Sequence, residues 1–336
     1  MKGEGFLGAG LFRIFLSLVV VVHHFSRVML GAWAVFVFFI LSGYWVARMW
    51  DKKYRLHSHA YRHFMVSRFL RLFPILCVCN LLSYFTLGYL GWELPFTHSF
   101  LWWIRSLFIL SSASQPLILG PFWSLDIELQ YYFLAPLICW LWPVRKSMAM
   151  LFVGSACLFT VAMAAMNLTA MHHPTIKLGF YYLGFFMLGM GIHYFKFQIG
   201  SRAAWVSALT IVVVILVTLI HPMARSLIIW QESIAWQRYQ ELWAAFVAIL
   251  SVPLVAYLVN RPSSRLDFTL GSLAYPVYAF HYLPAAIYYG FYGHLPSVDR
   301  IVPLACALFA VAVGSCLLYF FVDKPCEHWR KNWSLS

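Results

Sequence analysis

The sequence predicts an all-α polytopic membrane protein with about ten transmembrane helices and both termini in the cytoplasm. Three observations carry that prediction. Of 336 residues, 62% are hydrophobic and only 10% charged, whereas soluble domains average about 45–50% apolar and about 25% charged. The mean hydropathy is +0.77 over the whole length, which excludes an ordinary soluble domain and intrinsic disorder. The basic residues, finally, fall unevenly between alternate loops.

At about 20 residues per span the chain has room for ten or eleven crossings. Apolar stretches of spanning length run over 10–29, 31–50, 66–90, 121–142, 147–166, 178–196, 203–221, 240–259, 270–291 and 301–322. An eleventh stretch, 99–113, contains Trp102, Trp103 and Arg105 and is either a further span or an interfacial helix. Residues 1–22 do not read as a signal peptide, because the apolar run continues to His23 and His24 without a small-residue cleavage site. The chain, 1–336, reads as a single integral-membrane domain.

Charge decides the status of 99–113. With a cytoplasmic N-terminus and ten crossings, the outer segments carry Arg27, Arg105, Lys177, Arg225, Arg238 and Arg300. The other 18 of the 24 Lys and Arg face the cytoplasm, as basic residues do in membrane proteins. A crossing at 99–113 flips every later loop and partly cancels the bias, so that stretch is expected to lie at the interface. The same bias accounts for the net charge of +13 without nucleic acid as a partner. The seven cysteines lie almost entirely in apolar runs, where Cys behaves as a small hydrophobe. The paired His172 and His173 have no third or fourth ligand nearby, so no metal site is expected.

Ionisable residues inside spans are functional candidates, because lipid penalises them unless they are paired or hydrated. Arg13 and His24 are eleven residues apart, about 20° past three full turns, so they share a helix face with about 16 Å between their Cα atoms. His23 points about 100° away. Arg68 and Arg71, in RFLRLFP, are helix neighbours opening the third span; two guanidiniums there suit phosphate, and the plainer reading is a basic flank. In PFWSLDIELQYYFLAP, Ser124 and Glu128 share a face, with Tyr131 and Tyr132 following. The topology sets Glu128 and His24 at similar depth in the outer half, an arrangement suited to general-base chemistry; the plainer reading is two unrelated buried polar groups. Asp126 faces elsewhere and reads as an interfacial carboxylate. His193 and His281 complete the set.

The segments FRIFLSLVVVVHH, FVFFILSGYWVARMW, RFLRLFP, FWSLDIELQYYFLAP and GSLAYPVYAFHYLP follow in that order. Together they resemble the bacterial acyltransferase-3 family of integral membrane acyltransferases, from Arg13 to FVDKPCEHWRK. The family pattern of Arg, ten residues and His matches Arg13 and His24, and so favours His24 over His23. Its paired arginines match Arg68 and Arg71, and its Ser-x-x-x-Glu motif matches Ser124 and Glu128. Many members carry an acid where Phe36 stands here, which departs from the pattern.

The resemblance implies an O-acyltransferase of the bacterial inner membrane. It implies acetyl-CoA as a donor substrate entering from the cytoplasm, with Arg13, Arg68 and Arg71 on its phosphates, and no covalently bound cofactor. His24, oriented by Glu128, then deprotonates an acceptor hydroxyl or first accepts the acyl group itself. Ser124, Tyr131, Tyr132 and His281 support them. The implied acceptor is a hydroxyl of an exported or envelope carbohydrate, or of a lipid-linked glycan. No hydrolase-like domain follows residue 322, so a mechanism needing one takes it from a separate envelope protein. Two rivals remain at this level: another acyl group such as succinyl, and a glycan or lipid transporter or flippase. A transporter predicts internal repeats and polar residues along several spans, whereas here they concentrate on the first, third and fourth.

Overall fold

The computed structural model describes residues 8–90, 120–143, 145–169, 178–230 and 239–333. The expected interfacial helix at 99–113, the His172–His173 pair, and Arg105, Lys177 and Arg238 of the outer charge tally lie outside the described residues. Within them the chain is helical. In order, α1 spans Ala9–Phe25, α2 Gly31–Lys52, α3 Ala60–Tyr89, α4 Trp123–Trp140 and α5 Lys146–Thr169. Then come α6, Leu183–Tyr194, α7, Ser201–Ile220, α8, Gln240–Leu250, and α9, Val252–Val259. The last four are α10, Arg265–Phe280, α11, Tyr282–Tyr292, α12, Ile301–Leu318, and α13, Lys324–Trp333. A π turn over Tyr319–Asp323 joins α12 to α13.

Each of the ten apolar runs is occupied by helix, but not by one kind of helix. Five helical stretches are long and apolar enough to cross a membrane, and a sixth is the α8–α9 pair, bent by 45°. The other four runs fall short for visible reasons. Helix α1 has 17 residues. Helix α4 has 18 but carries Asp126, Glu128 and Gln130. Helix α6 has 12, preceded by a 3₁₀ turn at Gly179–Tyr182. The run 270–291 is interrupted at His281, because Pro284 has no N–H to offer the Phe280 carbonyl. The chain is a multi-pass membrane protein.

The layering follows from burial. The apolar window of Gly31–Leu56 is 67% buried, against 22% for those of Lys146–Met166, Ser201–Ile220 and Ile301–Arg330. Helix α2 is therefore the central pillar, and α5, α7 and α12 form the periphery. Exposed Val206, Leu209, Val213, Leu216 and Ile220 on α7 make an apolar surface suited to lipid.

Close crossings hold the centre. A Cβ added at Gly189 of α6 stands 1.9 Å from the Ile40 carbonyl oxygen of α2, and one at Gly43 stands 2.0 Å from that of Phe186. Only glycine lets these backbones approach, the small-residue packing that replaces the hydrophobic effect within lipid. Helix α1 meets α10 in the same way, where a Cβ on Gly271 would lie 2.7 Å from Gly10 Cα. Ser17 seals that contact by donating to the Ala274 carbonyl at 2.8 Å. At the far end of α1, the chain pairs briefly with 228–230, Trp230 N–H donating to the Arg27 carbonyl at 2.8 Å.

Candidate active site

Helices α1 to α4, α10 and the C-terminal segment enclose a cavity of about 350 Å³. Arg13 enters it from α1, Arg68 and Arg71 from α3, and Ser124, Glu128 and Tyr132 from α4. Six of the nine residues to which the resemblance gives a role thus converge on one space, although 115 positions separate Arg13 from Glu128 in numbering. The spacing argument explains the α4 trio: positions 124, 128 and 132 are one turn apart and fall on one face.

Arg68 is 2% exposed. Its guanidinium lies 5.7 Å and 5.8 Å from the Phe64 and Tyr132 ring centres, and Nη2 donates to Met49 Sδ at 3.3 Å. Its Nε is buried with no hydrogen-bond partner, and among the described residues it has no ion pair within 4 Å. A buried charge so placed is costly until an anion reaches it. Glu128 lies within electrostatic reach of both Arg13 and Arg68, but its Oε1 is engaged by the Ser42 hydroxyl at 2.7 Å and the Tyr132 hydroxyl at 2.5 Å.

Glu128 does not meet His24. The expected base–carboxylate pair shares no hydrogen bond, because α4 packs on α2, which supplies Ser42, while α1 packs on α10. His24 lies outside the cavity lining. Its ring stands 5.1 Å from His281, 4.7 Å from His23 and 5.4 Å from Tyr282, centre to centre. His23 is engaged locally, Nδ1 lying 3.1 Å from the Val28 carbonyl oxygen. Ser124 and Tyr278 link the two clusters. Their hydroxyls are 2.5 Å apart and each lies 3.1 Å from the Pro121 carbonyl oxygen, so one hydroxyl donates to the other and the second donates to that carbonyl, while the Tyr278 carbonyl holds His281 Nδ1 at 2.7 Å.

Two further expectations change. Tyr131 turns away from the cavity and stacks on Phe186, centres 4.0 Å apart, since adjacent helix positions diverge by about 100°. Asp126 is 3% exposed rather than lying at an open interface. His193, at the end of α6, faces Asp51 at 3.0 Å, so it ties α6 to α2.

Several cavity residues escaped the sequence reading. Asp323, Glu327 and Arg330 reach it from the C-terminal segment; their spacing of four and three residues is a helix-face signal. Arg330 comes only to 3.8 Å from Glu327 and sits within electrostatic reach of Arg68 and Arg71. Asp267, 3% exposed, accepts the Leu11 N–H at 2.8 Å and the Ser263 hydroxyl at 2.6 Å. It thereby caps the start of α1, where orphan N–H groups attract a carboxylate. No local pattern predicts a cap supplied from 256 residues away. Phe36 stacks on Phe185 with centres 4.6 Å apart and borders a second cavity of about 40 Å³ beside Glu241.

The family model described as an acyltransferase domain, acyltransferase 3, matches residues 7–320. No curated protein and no solved structure matches the chain.

Proposed function

The chain belongs to the acyltransferase 3 family, and from that premise we propose that it moves an acetyl group from cytoplasmic acetyl-CoA to a hydroxyl of an envelope or exported carbohydrate. The observation that carries this reading is Arg68, a buried guanidinium without an ion pair among the described residues, opening on a cavity that Arg13, Arg71 and Arg330 also line. Phosphates of the donor supply the missing anion, since arginine forks match phosphate oxygens through charge-assisted hydrogen bonds. In this reading the four shorter helical runs complete ten spans in a bacterial inner membrane. The basic residues then place both ends, and the arginine mouth of the cavity, in the cytoplasm.

The thioester lies toward Ser124 and Tyr278, the outer limit of the cavity on α4 and α10. His24 stands beyond them and takes the proton of the acceptor hydroxyl, whose oxygen attacks the thioester carbonyl carbon. The carbon–sulfur bond breaks, and the departing thiolate recovers the proton. Glu128 is a positioning residue: it holds Tyr132 and Ser42 and supplies the negative charge that keeps Arg13 and Arg68 in place before the donor arrives.

Membranes from cells with and without the gene, supplied with isotope-labelled acetyl-CoA, test this reading. Mass spectrometry of the extracted envelope glycans should show label and a one-acetyl mass difference only when the gene is present. Identical glycans in both would overturn the activity, and a larger acyl increment would replace acetyl with another donor.

A further inference from the structure

Among the described residues, one basic nitrogen beside His24 has no hydrogen-bond partner. His281 is fully buried, and its Nδ1 lies 2.7 Å from the Tyr278 carbonyl. A carbonyl only accepts, so Nδ1 carries the hydrogen and Nε2 keeps its lone pair in the neutral ring. That Nε2 is buried and has no hydrogen-bond partner among the described residues. Buried acceptors are nearly always satisfied in folded proteins, and an exception calls for a cause.

The cause stands next to it. The His24 and His281 ring centres are 5.1 Å apart with planes inclined at 36°. An N–H···N bond of about 2.9 Å between two imidazoles sets their centres about 5 Å apart. The rings are at that separation without a bond between them, and χ2 of histidine is a broad torsion that can align them. Helix pairing fixes the separation. Ser17 bonds the Ala274 carbonyl, and His24 and His281 each lie seven residues, two turns, further along their helices. His281 keeps helical backbone at the α10–α11 junction, φ −56° and ψ −29°, and its ring lies beside that of His24.

We propose that His281 is the positioning residue for His24, accepting the N–H of one His24 nitrogen so that the other presents its lone pair to the acceptor hydroxyl. This rests on His24 being the base of the transfer proposed above. His281 neither gains nor loses a proton: the acceptor proton passes to His24 and leaves with the thiolate, while the His24-to-His281 hydrogen bond persists. Tyr278 couples the pair to the donor cavity, its hydroxyl beside Ser124 and its carbonyl on His281.

Two conservative variants separate this role from a merely structural one. His281→Asn keeps an N–H donor at the position of Nδ1 and has no atom at Nε2. His281→Gln carries its amide out to the level of Nε2 and loses the short anchor to Tyr278. Full-length protein in membrane vesicles, given radiolabelled acetyl-CoA and the vesicles' own acceptors, provides the assay. His281→Asn should lower kcat about ten- to hundredfold, as loss of an orienting partner does, with KM for acetyl-CoA unchanged. His281→Gln should retain most of the activity. The opposite ranking, or equal activity in the two, overturns the proposal and makes His281 a structural anchor. Should His281→Asn fail to accumulate, an inactive His281→Gln in folded form overturns it alone. His24→Ala is assayed alongside: if that variant transfers normally, the base assignment itself has failed, and this is distinguishable from the loss of the partner.

Discussion

Replacing Arg68 by methionine removes a charge while keeping an unbranched stem between Phe64 and Tyr132. In the free protein that charge is 2% exposed and has no ion pair among the described residues. Glu128 lies within electrostatic reach of that charge without pairing with it, so Arg68→Met should change the thermal midpoint little. The donor-bound state responds more strongly. A hydrogen bond to a charged group contributes about 1.5–3 kcal/mol, so CoA affinity should fall about ten- to hundredfold. Calorimetric titration of CoA into detergent-purified protein reads this directly. Arg62, exposed on the same helix, is the control, and Arg62→Ala should bind as the parent does. Wild-type affinity in a stably folded Arg68→Met would refute the assignment of the cavity to the donor's phosphates.

Three other expectations follow from the geometry. His24→Ala should reduce transfer about 10²–10⁴-fold, the usual contribution of a placed base, with normal accumulation in the membrane. His23→Ala should be far milder, because that ring is occupied with the Val28 carbonyl; an inverted ranking of the two in the vesicle assay would reassign the base. Gly189→Ala puts a Cβ 1.9 Å from the Ile40 carbonyl oxygen and should cost about 1–3 kcal/mol through overpacking. Gly154→Ala, with nothing within 4 Å, should be neutral or slightly stabilising in its helix, so equal thermal midpoints for the two would contradict the α2–α6 crossing. Reporter fusions at the C-terminus should give a cytoplasmic signal, and a periplasmic one would sink the ten-span topology.

Composition and periodicity determined what depends on short stretches of chain. In lipid every backbone polar group must bond within its own segment, so each apolar run became helix wherever it is described. Helical spacing likewise placed Ser124, Glu128 and Tyr132 on one face and parted Tyr131 from them. The family pattern picked Arg13, Arg68 and Arg71, which share a cavity. Tertiary structure decided who stands beside whom. Depth along a helix is a one-dimensional quantity, and it put Glu128 level with His24 on the assumption that both lie within spans. Neighbourhood is set by which helices cross closely, and that depends on glycines meeting backbones far away in sequence: Gly10 against Gly271, Gly43 and Gly189 between α2 and α6. Those crossings gave Glu128 to Ser42 and gave His24 to His281. They also brought Asp267 to the start of α1 and placed Arg330 with the other arginines, because packing between helices answers to shape across the bundle, which no local window of residues contains.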